Sequence, residues 1–236
     1  MNSTLGISLI IVTYNAAATL QKCLDSIYKQ AFHDIKIIII DGNSTDETVA
    51  IIEANKTNIF YWKSESDSGI YDAMNKALLQ ISSIWVYFLG ADDELLPDFS
   101  NMVMELKDTS AIYYANVWAD GEKRSGELTY YKLAKFGIYH QAMIYPTAVF
   151  SKYNYDTKYK ISADFALTLN ICGDYKFHFI YKDYLIANFN HQGVSGVEID
   201  KRFQKDKAGL VFKNFGIKIW VRYKWHRFKN RNNPRA

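Results

Sequence analysis

The sequence predicts an α/β fold with a Rossmann-like, mostly parallel central sheet flanked by helices, followed by a basic, aromatic C-terminal helical tail. From residue 7 to about residue 120, apolar runs alternate with segments of helical periodicity, which is typical of successive βαβ units. The run over residues 35–40 is almost pure isoleucine, which indicates a strand covered on both faces. The run over residues 85–89 is equally apolar and ends in an acidic cluster at residues 92–94. Open α/β sheets usually hold their ligands at the carboxyl ends of their strands, so this cluster marks a candidate site.

The remaining elements follow in chain order. Residues 7–13 are the predicted first strand, and apolar residues between 20 and 28 recur at helical spacing after it. Ser44 and Glu47 stand three positions apart before the next apolar stretch, which predicts a capping box at the start of a second helix. The later predictions are strands at residues 59–62, 85–89 and 112–118, helices at 70–81 and 158–170, a polar turn at 121–126, and a strand pair at 175–181 and 184–189.

Composition indicates a globular chain of 236 residues, because a hydrophobic fraction of 49% is ample for a sizeable core. Cys23 and Cys172 are far apart and lack the spacing of metal ligands, which argues against a disulfide scaffold or a zinc site and favours a reducing compartment. The apolar segment at residues 7–12 is too short for a signal-peptide core or a membrane span. We therefore expect a cytoplasmic protein.

The last part of the chain differs from the rest in charge. From Lys201 onward, basic residues alternate with aromatic and aliphatic ones, and Asp206 is the only acid. We therefore predict a main domain over residues 1–200 and a basic amphipathic tail over residues 201–236. This composition favours an anionic membrane surface as a partner, with peripheral association at the inner face of the cytoplasmic membrane. A helix packed on the core and an RNA-binding segment have the same composition and remain open.

Polar side chains follow each of the first predicted strands. They are, in chain order, Thr13, Tyr14 and Asn15, then Asp41 and Asn43, then Glu65 and Asp67, then Asp92 and Asp93. Parallel strands end at the same edge of a sheet, so we expect these groups close together. Each alone is more often a turn or helix-cap residue, and the last acids would also suit the start of a helix. Because no Gly-rich loop follows the first strand, a divalent cation at Asp92 or Asp93 is the expected means of holding a phosphate.

Four segments in this order resemble the motifs of family 2 glycosyltransferases of the GT-A fold. They lie at residues 10–15, 40–46, 65–76 and 90–93. The resemblance extends over roughly residues 7–195 and is strongest to bacterial transferases that build colanic acid, O-antigen and capsule repeat units. The chain departs from the pattern at Gly90, where the family often has the first Asp of an Asp-x-Asp-Asp motif. This leaves Asp92 and Asp93 to share the ribose and metal contacts.

The resemblance implies roles for individual residues. The donor nucleotide is expected at Thr13, Tyr14, Asn15, Asp41, Asp67, Asn75 and Asp92. The metal, Mn²⁺ or Mg²⁺, is expected at Asp92, Asp93 and His191, although a histidine in a polar loop is more often simply solvated. His140 and Gln141 are expected to face the acceptor or the diphosphate. Asp164 is the expected catalytic base, although the helix dipole alone also favours an Asp in a first turn.

The resemblance also implies an activity. It is that of an inverting, metal-dependent hexosyltransferase that moves a sugar from a nucleotide-diphosphate donor, expected to be UDP-linked, to a growing surface glycan. The basic tail adds a lipid-linked acceptor to this expectation, and no nucleic-acid partner is expected. One alternative is a sugar nucleotidyltransferase, which should carry a Gly-rich N-terminal loop that this chain lacks. The other is a nucleotide-sugar-binding assembly subunit without turnover, which would have no need of Asp92, Asp93 and Asp164 together.

Overall fold

The computed structural model describes residues 6–190 and 199–229. Within these residues, nine strands form one sheet: β1 (Ile7–Thr13), β2 (Ile35–Asp41), β3 (Tyr61–Ser64), β4 (Trp85–Gly90), β5 (Glu94–Leu95), β6 (Ala111–Ala119), β7 (Glu122–Arg124), β8 (Met143–Pro146) and β9 (His178–Asn188). The helices are α1 (Leu20–Tyr28), α2 (Thr48–Ala54), α3 (Ile70–Leu78), α4 (Asp98–Met104), α5 (Tyr130–Phe136), α6 (Ala163–Cys172) and α7 (Lys201–Lys229).

The sheet is mixed and mostly parallel. Its strands lie in the order β3-β2-β1-β4-β8-β6-β9-β5, and β7 pairs with β6. The first four strands of the chain are parallel to one another, and β6 is parallel to β9. In contrast, β8 runs antiparallel to both β4 and β6, and β5 runs antiparallel to β9. The predicted α/β fold with a mostly parallel central sheet is confirmed.

Strand register brings the ends of the parallel strands together. Thr13 at the end of β1 pairs with Asp41 at the end of β2, which pairs in turn with Ser64 at the end of β3. On the other side of β1, Val12 pairs with Gly90 at the end of β4. Of these strands, β1, β2 and β4 are buried along most of their length, as expected for apolar runs covered on both faces. The polar residues that follow them are therefore held at one rigid edge.

The predicted strand pair after residue 175 is wrong. His178–Asn188 is a single strand, because both of its halves pair with β6. The register between the two strands shifts around Asn116, whose buried side-chain amide donates to the Tyr181 hydroxyl and the Tyr184 carbonyl oxygen. The polar residues at this irregularity resemble a turn in the sequence, although the strand continues through them.

The predicted capping box is also wrong. Helix α2 begins at Thr48, and the backbone N–H of Thr48 donates to Asp46 Oδ1 at 3.0 Å. Ser44 is not a helix cap, because its backbone N–H and hydroxyl both donate to the carboxylate of Asp41. Ser44, which the sequence pattern predicts as a helix cap, is therefore hydrogen-bonded to a buried carboxylate instead.

The first half of α7 is attached to the core beside α6. Phe203 is buried, and its ring centroid lies 5.1 Å from that of Phe165 in α6. Lys207 is also buried, and its Nζ donates to the backbone oxygen of Lys135 at 2.8 Å and lies 4.2 Å from the centroid of the Phe165 ring. Burial lowers the pKa of Lys207 to about 7. The division of the chain at residue 200 stays a prediction.

Helix α7 is interrupted at Gly216. This residue has a φ of 73°, in the left-handed region that glycine adopts at little cost. The interruption separates a first half that packs on the core from a second half, residues 217–229, that carries two exposed aromatic side chains, Trp225 and Phe228. In the part of the chain that the structure describes, every helix is too short or too polar to cross a bilayer.

Candidate active site

The carboxylate of Asp41 ties together the ends of β1, β2 and β3. It is buried and accepts from Thr13 Oγ1 at 2.8 Å and from Ser64 Oγ at 2.7 Å. Ser44, in the loop after β2, adds its backbone N–H at 2.9 Å and its hydroxyl. Burial opposes ionisation, but these hydrogen bonds outweigh it and hold the pKa of Asp41 below its ordinary value. Asp41 therefore fixes the shape of this edge, and direct contact with a nucleotide stays a prediction.

The loop after β1 is held against the loop after β2. Asn15 has a φ of 49°, in the left-handed region that asparagine tolerates better than most residues. Its backbone N–H donates to Ser44 Oγ at 2.8 Å, and its Oδ1 accepts from the Thr45 N–H at 2.9 Å. Tyr14 precedes this anchor and is 68% exposed. The edge therefore presents an aromatic ring on which a nucleobase can stack.

Asp67 lies against the same loop, whereas Asn75 is used elsewhere. Asp67 Oδ1 accepts from the Gly69 N–H at 2.8 Å, and its Oδ2 lies 2.6 Å from where a Cβ on Gly42 would be. Any larger residue at position 42 would displace the carboxylate. The amide of Asn75 donates to the Tyr155 backbone oxygen and accepts from the Tyr155 N–H, both at 2.9 Å. These contacts indicate that Asn75 fixes the segment after β8, and they lend no support to its predicted nucleotide contact.

The two acids after β4 have different surroundings. Asp93 is buried, and its carboxylate is held by hydrogen bonds. These come from Gln141 Nε2 at 2.7 Å, the Asn190 N–H at 2.8 Å and the Gly90 N–H at 3.2 Å. Asp92 is partly exposed, and no other residue that the structure describes donates to its carboxylate. Burial raises the pKa of both carboxyl groups, and the charge of Asp92 adds to this effect in Asp93. Asp92 is therefore the carboxylate with room for a new ligand.

The close packing of these acids explains the glycine in the motif. A Cβ at Gly90 would lie 2.5 Å from Asp93 Oδ2 and 2.9 Å from Asp92 Oδ1. The Asp93 carboxylate folds back towards the end of β4, where the Gly90 N–H donates to it. It fills the space that a side chain at residue 90 would need, so an additional acid does not fit there.

Replacing Gly90 with alanine is expected to destabilise the protein, because the new methyl group collides with a carboxylate that is hydrogen-bonded in place. Overpacking of this kind costs about 1–3 kcal/mol. For a chain of this length, Tm falls by about 2–4 °C for each kcal/mol. Gly209→Ala in α7 is the matched control, because no described atom beyond its own turn of helix lies within 4 Å of its Cβ position and alanine is the better helix former. Equal Tm values for the two variants, measured by circular dichroism, would contradict the tight packing at Gly90.

A short 3₁₀ turn, His140–Ala142, brings the predicted His-Gln pair to the acids. Gln141 is buried, with its side chain on Asp93 and its backbone oxygen accepting from the Tyr87 hydroxyl at 2.6 Å. Gln141 therefore supports Asp93, and its burial lends no support to a contact with the acceptor or the diphosphate. His140 is placed differently, because its Nδ1 lies 3.3 Å from Asp164 Oδ2.

Asp164 lies in the first turn of α6 and has partners from distant parts of the chain. Its Oδ1 accepts from the Tyr71 hydroxyl at 2.9 Å and from the Phe165 N–H at 2.8 Å, whereas its Oδ2 faces His140. Burial and the charge of Asp164 raise the pKa of Tyr71 well above its usual range, so Tyr71 stays a hydrogen-bond donor. The Asp164 side chain retains 21% exposure, so a substrate can reach it.

His140 connects the predicted base to the acidic pair. Besides its contact with Asp164, its positive charge when protonated favours the ionised forms of both Asp92 and Asp93. The ring therefore lies within electrostatic reach of all these acids, and they belong to one site. The acidic pair also lines a cleft of about 310 Å³ between the start of α1 and the end of β9. That volume is near the lower limit for small-molecule sites.

His191 lies outside the described residues, so its metal contact stays a prediction. Its neighbour Asn190 donates its backbone N–H to Asp93, which brings the chain close to the acids at this point. Within residues 6–190 and 199–229, no group of three His, Cys, Asp or Glu side chains could by itself hold a metal ion. Asp92 nevertheless suits Mg²⁺ or Mn²⁺, because hard cations take carboxylate oxygens, Mg²⁺ keeps several waters, and no other residue among these donates to the Asp92 carboxylate.

Sequence reasoning missed Tyr71 and Ser64, whose hydroxyl groups donate to Asp164 and to Asp41. Tyr71 lies inside the motif segment 65–76. Its position directly after Gly69 and Ile70, at the start of a predicted helix, is the sequence feature that could have identified it as a site residue. Ser64 ends β3 opposite Asp41. The predicted third strand began too early in the chain, so this pairing could not be read from it.

Solved structures share this fold. The S. aureus TarS fragment 1-349 in complex with UDP-GlcNAc has a TM-score of 0.72 and 17% identity, covering 97% of this chain and 74% of TarS. The mannosyltransferase PcManGT from Pyrobaculum calidifontis, in complex with GDP-Man and Mn²⁺, has a TM-score of 0.66 and 15% identity, covering 97% and 70%. At these identities the likeness is one of fold. The mixed sheet with acids at the ends of its parallel strands defines an α/β protein of the GT-A class.

Sequence comparison makes the assignment narrower. Residues 8–175 match the profile of Glycosyl transferase family 2, so the chain belongs to that family. A relative from Mycobacterium bovis, named PGL/p-HBAD biosynthesis glycosyltransferase, is 31% identical over 210 residues, which cover 84% of this chain and 82% of the relative. The expected family is confirmed, and the chain is a glycosyltransferase.

Proposed function

We propose that this chain is an inverting, metal-dependent hexosyltransferase that moves a sugar from a UDP-linked donor to a growing, lipid-linked surface glycan. The position of His140 carries the proposal, because the ring contacts Asp164 and lies within electrostatic reach of Asp92 and Asp93. Direct displacement requires a base and a diphosphate site close to one another. The fold likeness to TarS, which was solved with UDP-GlcNAc, supports the donor class, and the likeness to PcManGT, solved with Mn²⁺, supports the metal.

In the proposed reaction, the acceptor hydroxyl oxygen attacks the anomeric carbon while the bond from that carbon to the diphosphate oxygen breaks. Asp164 takes the hydroxyl proton. Tyr71 and the Phe165 N–H both donate to Oδ1, so the proton goes to Oδ2, which faces the ring of His140. A divalent cation held by Asp92 would stabilise the charge that develops on the departing diphosphate.

The nucleotide of the donor is proposed at the edge formed by the loops after β1, β2 and β3. The exposed ring of Tyr14 offers a stacking surface for the base, and Asp67 lies against Gly42 in the loop after β2. Asp41 acts through its neighbours, because its bonds to Thr13 and Ser44 set the positions of these loops.

A donor panel tests the proposal. Release of nucleoside diphosphate is measured from UDP-, GDP- and dTDP-linked sugars, with and without Mn²⁺ or Mg²⁺, in the presence of lipid-linked acceptors. We expect cation-dependent turnover of a UDP-sugar and an inverted anomeric configuration in the product, read by NMR. Donor binding without turnover would contradict the proposal and favour an assembly subunit. Formation of pyrophosphate from a nucleoside triphosphate and a sugar 1-phosphate, in a parallel assay, would favour a nucleotidyltransferase.

Replacing His140 with alanine is expected to lower kcat by about 10–100-fold, because Asp164 loses the group that positions Oδ2. The donor KM should change much less. His178→Ala is the matched control, since His178 also lies 3.3 Å from an aspartate, Asp108, but at the start of β9, at the opposite end of the sheet. Steady-state kinetics on both variants decide the point. A wild-type kcat in His140→Ala would show that Asp164 needs no support from this ring.

A further inference from the structure

We propose that the second half of α7, residues 217–229, binds an anionic lipid surface through one exposed apolar face. This face consists of Ile217, Val221, Trp225 and Phe228, each of which is more than half exposed. Their spacing of four, four and three positions puts them on the same side of a helix. Contiguous exposed side chains of this size mark a surface that interacts with an apolar partner.

The other side of the segment faces the protein and fixes its orientation. Tyr223 is buried, and Ile219 and Trp220 are partly buried against the core. The guanidinium of Arg222 lies 3.8 Å from the centroid of the Tyr131 ring in α5. The residues that make these contacts alternate along the chain with those of the apolar face. The apolar face therefore points away from the core.

Lysines border the apolar face on both sides. At about 100° per residue, Lys224 falls on one side of the face, and Lys218 and Lys229 fall on the other. Lys229 Nζ lies 5.2 Å from the centroid of the Trp225 ring, so a basic group accompanies an exposed aromatic one. No acid follows Asp206 in the chain, so this helix half has no carboxylate of its own. Lysine stems can extend along apolar surface while their ammonium groups reach anionic headgroups.

An anionic bilayer satisfies both features of this surface. The aliphatic side chains of Ile217 and Val221 offer nucleic-acid bases no ring to stack on and no hydrogen bond. A second copy of the same face would bring lysines against lysines, which opposes self-association. A bilayer interface offers acyl chains to the apolar face and charged headgroups to the lysines, and it favours Trp at that depth.

This proposal deepens the proposed function and rests on it in one respect, the lipid-linked acceptor, which would lie at the same surface. The first half of α7 packs on Phe165, the residue after Asp164. A helix bound to a bilayer would therefore hold the proposed base close to that bilayer. Vesicle binding itself is measured without any sugar transfer, so the two proposals can fail separately.

The experiment is flotation of the full chain with phosphatidylcholine vesicles that contain or lack phosphatidylglycerol. We expect binding only to the anionic vesicles, with a loss at high salt. The double variant Trp225→Ala, Phe228→Ala should lower the partition coefficient at least about tenfold. The matched control is Phe60→Ala, Leu79→Ala, which removes two apolar side chains elsewhere that are also more than half exposed and should bind like the wild type. Circular dichroism and UDP titration check that both variants are folded.

Unchanged vesicle binding in the folded Trp225→Ala, Phe228→Ala protein would overturn the proposal. A dimer that forms without lipid and is broken in this variant would also overturn it, since the face would then bind a second copy. RNA binding that this variant abolishes would overturn it as well. Binding to anionic vesicles by a chain that shows no turnover would support the lipid surface while contradicting the proposed function.

Discussion

Replacing Asp164 with asparagine is expected to lower the rate of sugar transfer by about 10²–10⁴-fold and to leave donor binding unchanged. Asparagine keeps an oxygen that can accept from Tyr71 and from the Phe165 N–H, so the first turn of α6 should hold its shape. Its amide cannot take the proton of an acceptor hydroxyl, which is the task proposed for Oδ2. The loss should therefore appear in kcat, with a donor KM close to that of the wild type.

Asp156→Asn is the matched control for this variant. Asp156 is an exposed acid in the segment before α6, and it pairs with Lys158 at 2.8 Å. Initial rates at saturating donor and acceptor measure catalysis, and calorimetric titration with UDP measures binding. A wild-type rate in Asp164→Asn would reject Asp164 as the base. A parallel loss of UDP affinity would mean that the carboxylate holds the site together and would contradict a purely catalytic role.

The strands that carry the site could be predicted because their own residues are sufficient to identify them as buried strands. The first two strands are long apolar runs, mostly isoleucine in the second, that fit only a sheet covered on both faces. The structure places β1 over the predicted residues 7–13 and extends β2 only by Asp41. Once the strands are parallel, the polar residues after them must meet at one edge. The sequence alone therefore predicts that Thr13, Asp41 and the acids after Gly90 lie at the same edge of the sheet, as the strand register shows.

The contacts that give these side chains their tasks could not be predicted, because they join distant parts of the chain. Gln141 reaches Asp93 only because β8 lies antiparallel beside β4 and carries the preceding 3₁₀ turn to the acids. Tyr71 reaches Asp164 only when α3 and α6 come together. Gly90 resembles a lost carboxylate in the sequence, whereas the structure shows that Asp93 fills its space.

The same contacts predict opposite results for the two neighbouring carboxylates. Replacing Asp92 with asparagine is expected to lower Mn²⁺ affinity, measured by calorimetry in the presence of UDP, by at least about 100-fold. Thermal stability should stay the same or rise. Burial raises the pKa of Asp92, which means that the folded protein stabilises its ionised form less than the unfolded chain does, and asparagine removes this penalty.

Burial disfavours the charge of Asp93 as well, but we expect the loss of matched hydrogen bonds to outweigh that gain, so replacing Asp93 with asparagine should lower Tm and change Mn²⁺ affinity much less. Its carboxylate accepts from Gln141 Nε2, the Asn190 N–H and the Gly90 N–H, and asparagine turns one of these acceptors into a donor. A buried polar group left unpaired in this way costs about 1–3 kcal/mol. A large loss of Mn²⁺ affinity in Asp93→Asn, with none in Asp92→Asn, would reverse the assignment. Equal losses would mean that both acids bind the ion, and Asp93 would then have to give up a hydrogen bond that now holds it in place.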